Sequence, residues 1–316
     1  MQRKWLSREA AAVVAVSGEP DPIAAVNLLA KRLLDEADLG GPPFQPEILA
    51  SFQGIADVQR VPMVSAARLF PRDGALHVEV NEAHSPGKQN FSIDHEVTHT
   101  LLPTYRRQPI DDRTTGEFSS RAEEEYLCDV GASALLLDPR WLRPQALDLG
   151  PSIQTLLDLA SLFKASLQAT ARKLSELDLW PCAFIFWEEG LRKPDRLMAG
   201  QPILTGLDAL GPAQPKLRVR QAYPSESFSR TVGFIPRNKS VADGSLVASC
   251  THDHPFTQGL NAFDFGRGET ILNSDNLHSP YKSNGIVYRR VISLVLSDGA
   301  RPTRVPQPDA YQIEIV

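Results

Sequence analysis

Cysteine is scarce in this chain: Cys128, Cys182 and Cys250 are the three in 316 residues. An odd number so widely spaced builds no disulfide framework and fits free thiols in a reducing compartment. Long apolar runs are missing too. No segment approaches the roughly 18 uninterrupted apolar residues of a membrane-spanning helix. Basic charge is not in excess: the net charge of −5 removes any broad attraction to nucleic acid or an anionic membrane, and leaves a local basic patch as the route to DNA. There are no internal repeats, no low-complexity tract and no Gly-rich loop to cradle a phosphate. What is present, 42% hydrophobic and 22% charged residues, is ordinary for a soluble globular protein with an ample core. The length is about twice that of a usual single domain, so two or three compact units are expected. The opening MQRKWLSREAAAVVAVSG mimics a secretory signal, but its apolar run is short, Ala-rich and preceded by Glu9. It reads as an amphipathic helix, and the expected location is the cytoplasm.

Along the chain, residues 22–39 show helical periodicity, with Asp21 as N-cap, Pro22 in the first turn and Gly40-Gly41-Pro42-Pro43 as the stop. A short helix over Pro46–Phe52 precedes a strand in GIADVQRVPMV. Residues 68–81 alternate through Pro71-Arg72-Asp73-Gly74 as a hairpin, which leaves His77 and the following His84 facing solvent. The next long helix, Arg121–Leu137, carries the stripe Leu127, Val130, Gly131, Ala134 and Leu137. Its small residues permit the close approach of another helix. Asp138-Pro139-Arg140 ends it. Residues 152–177 form two helical patterns around Lys164-Ala165-Ser166, with Ser166 capping the second. This is helix-turn-helix spacing, yet the second helix offers only Gln168, Arg172 and Lys173 to a nucleic acid. A packed helical pair is the better reading, and direct DNA binding is not expected. Beyond Trp180-Pro181 the runs CAFIFWEE, KLRVRQAY, FSRTVGFIP, YRRVISLVL and AYQIEIV read as strands. CTHDH (Cys250, His252, His254) lacks a spaced fourth ligand and reads as a loop. The expected division is residues 1–145, 146–180 and 181–316.

The chemistry concentrates in IDHEVTHTLL, where His95, Glu96 and His99 spell H-E-x-x-H. Residues four apart on an α-helix project from one face, so both imidazoles can share one Zn²⁺. Glu96 is placed beside such an ion as the general base that takes a proton from water. Ile93, Val97, Leu101 and Leu102 make this helix largely buried, and buried histidines need partners. A catalytic zinc wants a third protein ligand and an open fourth position. Glu125 is the best candidate, Glu124 the fallback, and Glu123 is expected in solvent. Asp129, one turn beyond Glu125, either orients a ligating imidazole or is an ordinary polar position at the margin. Asp94 is expected at the surface or as a cap; Cys128, between these acids, could offer a thiolate ligand but reads better as a small core thiol. Tyr105 and Arg106, near the helix end, are minor candidates for polarising a carbonyl.

FSIDHEVTHTLL followed by E-x-x-C-D-V-G-A-S-A-L-L-L resembles the ImmA/IrrE family of metallopeptidases. The likeness covers about residues 20–180. It implies an α+β fold: a zincin-like metallopeptidase domain, a helix-turn-helix-like helical segment and a C-terminal α/β domain that is GAF-like in the longer members. It implies His95, His99 and Glu125 as ligands of Zn²⁺ (or Mn²⁺) and Glu96 as base. It also implies a substrate, a helix-turn-helix transcriptional repressor cut at a specific site to relieve repression in a stress response or a mobile element. The C-terminal domain would sense a signal or hold the repressor. Three acids depart from the family pattern: Asp94 for a small residue, Asp129 for Asn, and Asp138 ahead of the terminal proline. None removes a ligand or the base. A regulator that binds metal and a repressor, or DNA, without cutting is the alternative.

Overall fold

The first two helices begin at residues whose side chains cap them. In the computed structural model, which describes residues 4–106, 122–191, 214–266, 268–283, 286–297, 299, 304 and 314–315, α1 (Arg8–Ser17) starts at Ser7, whose hydroxyl accepts from Ala10 N. Helix α2 (Pro22–Ala37) starts at Asp21, which accepts from Ala24 N, with Pro22 in its first turn. A short α3 (Pro46–Phe52) leads into β1 (Ile55–Val61). The hairpin of β2 (Ala67–Arg72) and β3 (Ala75–Asn81) turns on Asp73 and Gly74, at φ 53° and 78°. Both values lie in the left-handed region that a two-residue hairpin turn demands, where glycine is at ease and Asp tolerated.

The chain divides into two compact units, residues 1–145 with 158–173 and residues 146–157 with 174–316. In the first, three strands form a sheet in the order β1-β3-β2, with β1 parallel and β2 antiparallel to the central β3. Leu76, Val78 and Val80 of β3 are buried. Against β2 and β3 lies α4 (Pro86–Leu101), which also meets α3, the single turn α5 (Pro103–Arg106) and α6 (Ala122–Leu136). Helix α2 packs on α6 as well. The turn after α8 (Ile153–Leu162) also lies against α4, where Asn90 Nδ2 donates to Lys164 O at 3.0 Å. Ser166 caps α9 (Leu167–Glu176), accepting from Ala169 N.

Gly131 decides how near α4 and α6 come. A Cβ there would lie 2.3 Å from Thr98 Cγ2, 2.7 Å from Thr98 Oγ1 and 3.0 Å from Val26 Cγ1. Thr98 and Val26 are fully buried, and a β-branched side chain has little freedom to move aside. The stripe read from the sequence is therefore the contact face of α6, although Val130 is only half-buried.

The second unit is built on a five-stranded antiparallel sheet, β5-β4-β10-β7-β6. Its strands are β4 (Cys182–Gly190), β5 (Lys216–Pro224), β6 (Phe256–Asp264), β7 (Glu269–His278) and β10 (Arg290–Leu296). Short strands β8 (Tyr281–Ser283), β9 (Ile286–Tyr288) and β11 (Glu314–Ile315) form a separate three-stranded sheet. Ala183, Ile185, Trp187, Val219, Val291 and Val295 share one apolar cluster with Phe228 of α10 (Glu226–Thr231) and Val247 of α11 (Leu246–Ser249). Polar groups inside are paired: Trp187 Nε1 donates to Ser293 Oγ at 2.8 Å, which donates to Asn276 Oδ1 at 2.6 Å.

Some expectations change. FSRTVGFIP is not a strand: Ser225 accepts from Phe228 N and caps α10, so a local cap overrides β-propensity. Helix α7 (Pro139–Leu149) was not legible, because Pro144 interrupts its pattern. Of AYQIEIV only Glu314–Ile315 falls among the described residues, as a strand. No helix among those residues is long and apolar enough to cross a membrane.

Gly131→Ala is expected to lower unfolding stability by about 1–3 kcal/mol, since overpacking outweighs the gain in helix propensity. Adding Thr98→Ala should recover part of it. Urea denaturation of the two variants checks this; an unchanged midpoint for Gly131→Ala would show that the two helices part at no cost.

Candidate metal centre

The site is made by two helices already fixed by packing. On α4, His95 and His99 stand one turn apart with ring centroids 5.1 Å from each other. Helix α6 presents Glu124, Glu125, Cys128 and Asp129 to them. Glu125 reaches both rings: Oε2 lies 3.1 Å from His95 Nε2 and Oε1 3.8 Å from His99 Nε2. The other ring edges face different acids. His95 Nδ1 is 3.0 Å from Asp129 Oδ1, and His99 Nδ1 is 3.3 Å from Glu124 Oε1. The second pair has the distance of an ion pair without hydrogen-bond alignment, so His99 Nδ1 makes no hydrogen bond among the described residues.

Exposure is graded across the cluster. His99 is 1% exposed, while the side chains of His95, Glu125 and Asp129 are 16%, 36% and 46% exposed. The cluster is thus sealed at His99 and Glu124 and open at Glu125 and Asp129, the side from which a substrate can arrive. Glu96 is 4% exposed, and its charge bears on both His95 and Cys128.

Burial opposes a charge on His95, but the hydrogen bonds to Asp129 and Glu125 and the charge of Glu96 outweigh it, and its imidazole is pushed up to about 10. Burial first, then the charges of Glu124, Glu125, Glu96 and Asp129, hold the Cys128 thiol well above the usual range. The acids thus gather around one proton on His95. Two imidazoles, a carboxylate and a thiol form the mixed donor set that zinc takes, and manganese where oxygen and nitrogen suffice. Among the described residues, His95, His99 and Cys128 bring one ligand atom each within 4.8 Å of one another. Two side chains therefore compete for the third place: Glu125, which reaches both Nε2 atoms, and Cys128, whose thiolate reading the geometry favours more than its sequence does. The signal for Cys128 was its spacing, three residues from Glu125 and so on the same helix face.

The remaining candidates separate. Glu123 is not left to solvent: its carboxylate accepts from Leu6 N at 3.0 Å and Ser7 N at 2.7 Å, tying down the start of α1. Asp94 is neither at the surface nor a cap. It is fully buried, neither oxygen has a hydrogen-bond partner, and burial with the nearby charge of Glu47 pushes its carboxyl well above the usual range. His77 is not solvent-facing either, since its side chain is 12% exposed and engages Asp57. His84 is half-buried, with Nε2 2.9 Å from Lys88 Nζ. The Tyr105 ring lies 6.0 Å from His99, while the Arg106 guanidinium is committed to Thr100 O and Gln53. In CTHDH, Cys250 Sγ meets the carbonyls of Pro255 and Asn276.

Residues 62–175 match the peptidase family described as the IrrE N-terminal-like domain. The chain is similar to the radiation response metalloprotease IrrE of Deinococcus radiodurans, with 28% identity over 198 residues that cover 60% of this chain. The match spans about half, 54%, of that relative's length. A solved structure of a Mycobacterium tuberculosis transcriptional regulator is similar at a TM-score of 0.48 and 15% identity, covering 91% of this chain and 79% of that one.

The raised His95 value makes a pH prediction. The unfolded imidazole titrates near 6.5 and the folded one near 10, so protonation stabilises the metal-free fold fully below pH 6.5 and less as pH climbs through 10. Thermal unfolding in EDTA should therefore show a midpoint that falls across this window. Asp129→Asn should flatten the fall, and a pH-independent wild-type midpoint would contradict the assignment.

Proposed function

We propose that this chain, whose residues 62–175 form a metallopeptidase domain of the ImmA/IrrE family, is a metal-dependent endopeptidase that cuts a helix-turn-helix transcriptional repressor at a specific site and so relieves repression. The observation that carries the reading is the Glu125 carboxylate facing the Nε2 atoms of both His95 and His99. In this reading His95, His99 and Glu125 hold the ion, zinc or manganese. When bound, it supplies a Lewis acid for the scissile carbonyl and for water.

The chain's own residues do the rest. Asp129 accepts the Nδ1 proton of His95 and fixes that ring with Nε2 toward Glu125. Glu124 stands beside Nδ1 of His99 in the sealed part of the site. Glu96, nine-tenths shielded from solvent, takes a proton from the attacking water and returns it to the leaving amine. Tyr105, next to His99, is the remaining candidate to polarise the carbonyl.

The GAF-like reading of residues 181–316, as the part that senses a signal or holds the repressor, is supported by the five-stranded antiparallel sheet with two short helices on one face. Recognition of the repressor as a protein, without DNA, is supported by α9: of Gln168, Arg172 and Lys173, the lysine is buried at 8% exposure. The net charge of −5 points the same way.

The test is the purified chain with Zn²⁺ or Mn²⁺ and the helix-turn-helix repressor encoded beside its gene. The expected result is two discrete fragments, with Glu96→Gln slower by about 10²–10⁴-fold at undiminished metal content. Equal cleavage by Glu96→Gln, or none by wild type, would overturn the reading. Metal binding without any cleavage would favour a regulator that acts by binding alone.

A further inference from the structure

Cys128 is not spent on the core alone. It lies three residues beyond Glu125 on α6, about one helical turn, on the same face of the helix. Its Sγ and one nitrogen from each of His95 and His99 lie within 4.8 Å of one another. Two donors bound to a tetrahedral zinc at about 2.0 and 2.3 Å stand about 3.5 Å apart, so side-chain adjustments of about 1 Å bring the three onto one ion.

We propose that Cys128 is a fourth protein ligand of this centre, completing with His95, His99 and Glu125 a closed set of two nitrogens, one oxygen and one sulfur. The inference rests on the reading of His95, His99 and Glu125 as ligands. On binding, the S–H bond breaks, a sulfur–metal bond forms and the proton leaves to solvent. Four protein ligands make a structural site, whereas hydrolysis needs one position open. A sulfur-bound centre would therefore be a resting form, and hydrolysis would need Cys128 off the ion, its Sγ again carrying a proton taken from solvent. A sulfur donor also favours zinc over manganese, which is held by oxygen and nitrogen.

Cobalt reads this directly. The full chain, stripped of metal and kept reduced, is titrated with Co²⁺, and Zn²⁺ and Mn²⁺ affinities are measured against a competing chelator. Wild type is expected to show the near-ultraviolet charge-transfer band of a cobalt-bound thiolate. Cys128→Ser and Cys128→Ala are expected to lose it, and their Zn²⁺ affinity should fall by about tenfold or more, with Mn²⁺ affinity changing less. Unfolding midpoints of the metal-free variants separate this loss from a folding defect, and two substitutions of different polarity guard against either one failing alone. Cobalt bound without the band, or a band that survives Cys128→Ser, overturns the thiolate ligand and leaves the peptidase reading intact. Cobalt that does not bind wild type overturns the ligand reading beneath it. Loss of repressor cleavage with the band present removes the proposed activity and leaves the thiolate ligand standing.

Discussion

The contact between Gly131 and Thr98 sets the distance on which the rest of the first unit depends. A helix pair held apart by an ordinary side chain could not bring the carboxylate of one helix within hydrogen-bond reach of imidazoles on the other. His95 lies three residues before Thr98 on α4, and Cys128 three before Gly131 on α6, so the cluster is one turn from the contact on both helices. Small displacements at that contact are therefore passed to the ligand atoms with little attenuation. Helix α4 is further held by α3, α5 and the hairpin of β2 and β3, and α6 by α2. The donors thus sit on rigid elements supported from several sides, the condition for holding a metal-binding geometry to fractions of an ångström.

The electrostatics follow from that closeness. Glu96, Glu124, Glu125 and Asp129 all act on the same small volume, as their shared influence on Cys128 shows. Like charges so placed repel, and burying them is costly unless cations answer them. The proton held by His95 answers part of this in the metal-free chain, which is why burial fails to depress that imidazole. A divalent cation answers more of it, and from the same position. Asp94 shows the other solution to the same cost. Among the described residues it has no hydrogen-bond partner, and burial with the charge of Glu47 drives its carboxyl toward the neutral form.

What the sequence revealed was local. Asp21 with Pro22, Asp73 with Gly74, and Ser166 each act within four residues of their own position, so helix starts and the hairpin turn could be read directly. The pair His95 and His99 lies on one helix and was legible for the same reason. The three consecutive acids of α6 were harder, because successive helical residues point about 100° apart and only the rotation of α6 decides which meets α4. Leu127 and Gly131 fix that rotation. They send Glu124 and Glu125 toward the histidines and Glu123 to the backbone of Leu6 and Ser7. Helix α10 was misread because its residues favour strands while the cap that overrides them, Ser225, is a single position. The strand order β5-β4-β10-β7-β6 depends on pairings between distant segments and left no local trace.

Glu125 and Cys128 place a hard and a softer donor one turn apart before the same two imidazoles, and that pairing bears on both metal choice and reactivity. A carboxylate accepts zinc or manganese alike and leaves a fourth position free. A thiolate narrows the choice to zinc and, added to the carboxylate, fills that position. Burial and four surrounding acids hold Cys128 as a neutral thiol when no cation is near, so the sulfur becomes a donor only if an ion compensates its charge. Glu125 is a third exposed. In the proposed reading, the carboxylate is the ligand that stands ready before an ion arrives, and the thiol the one that the ion itself must recruit.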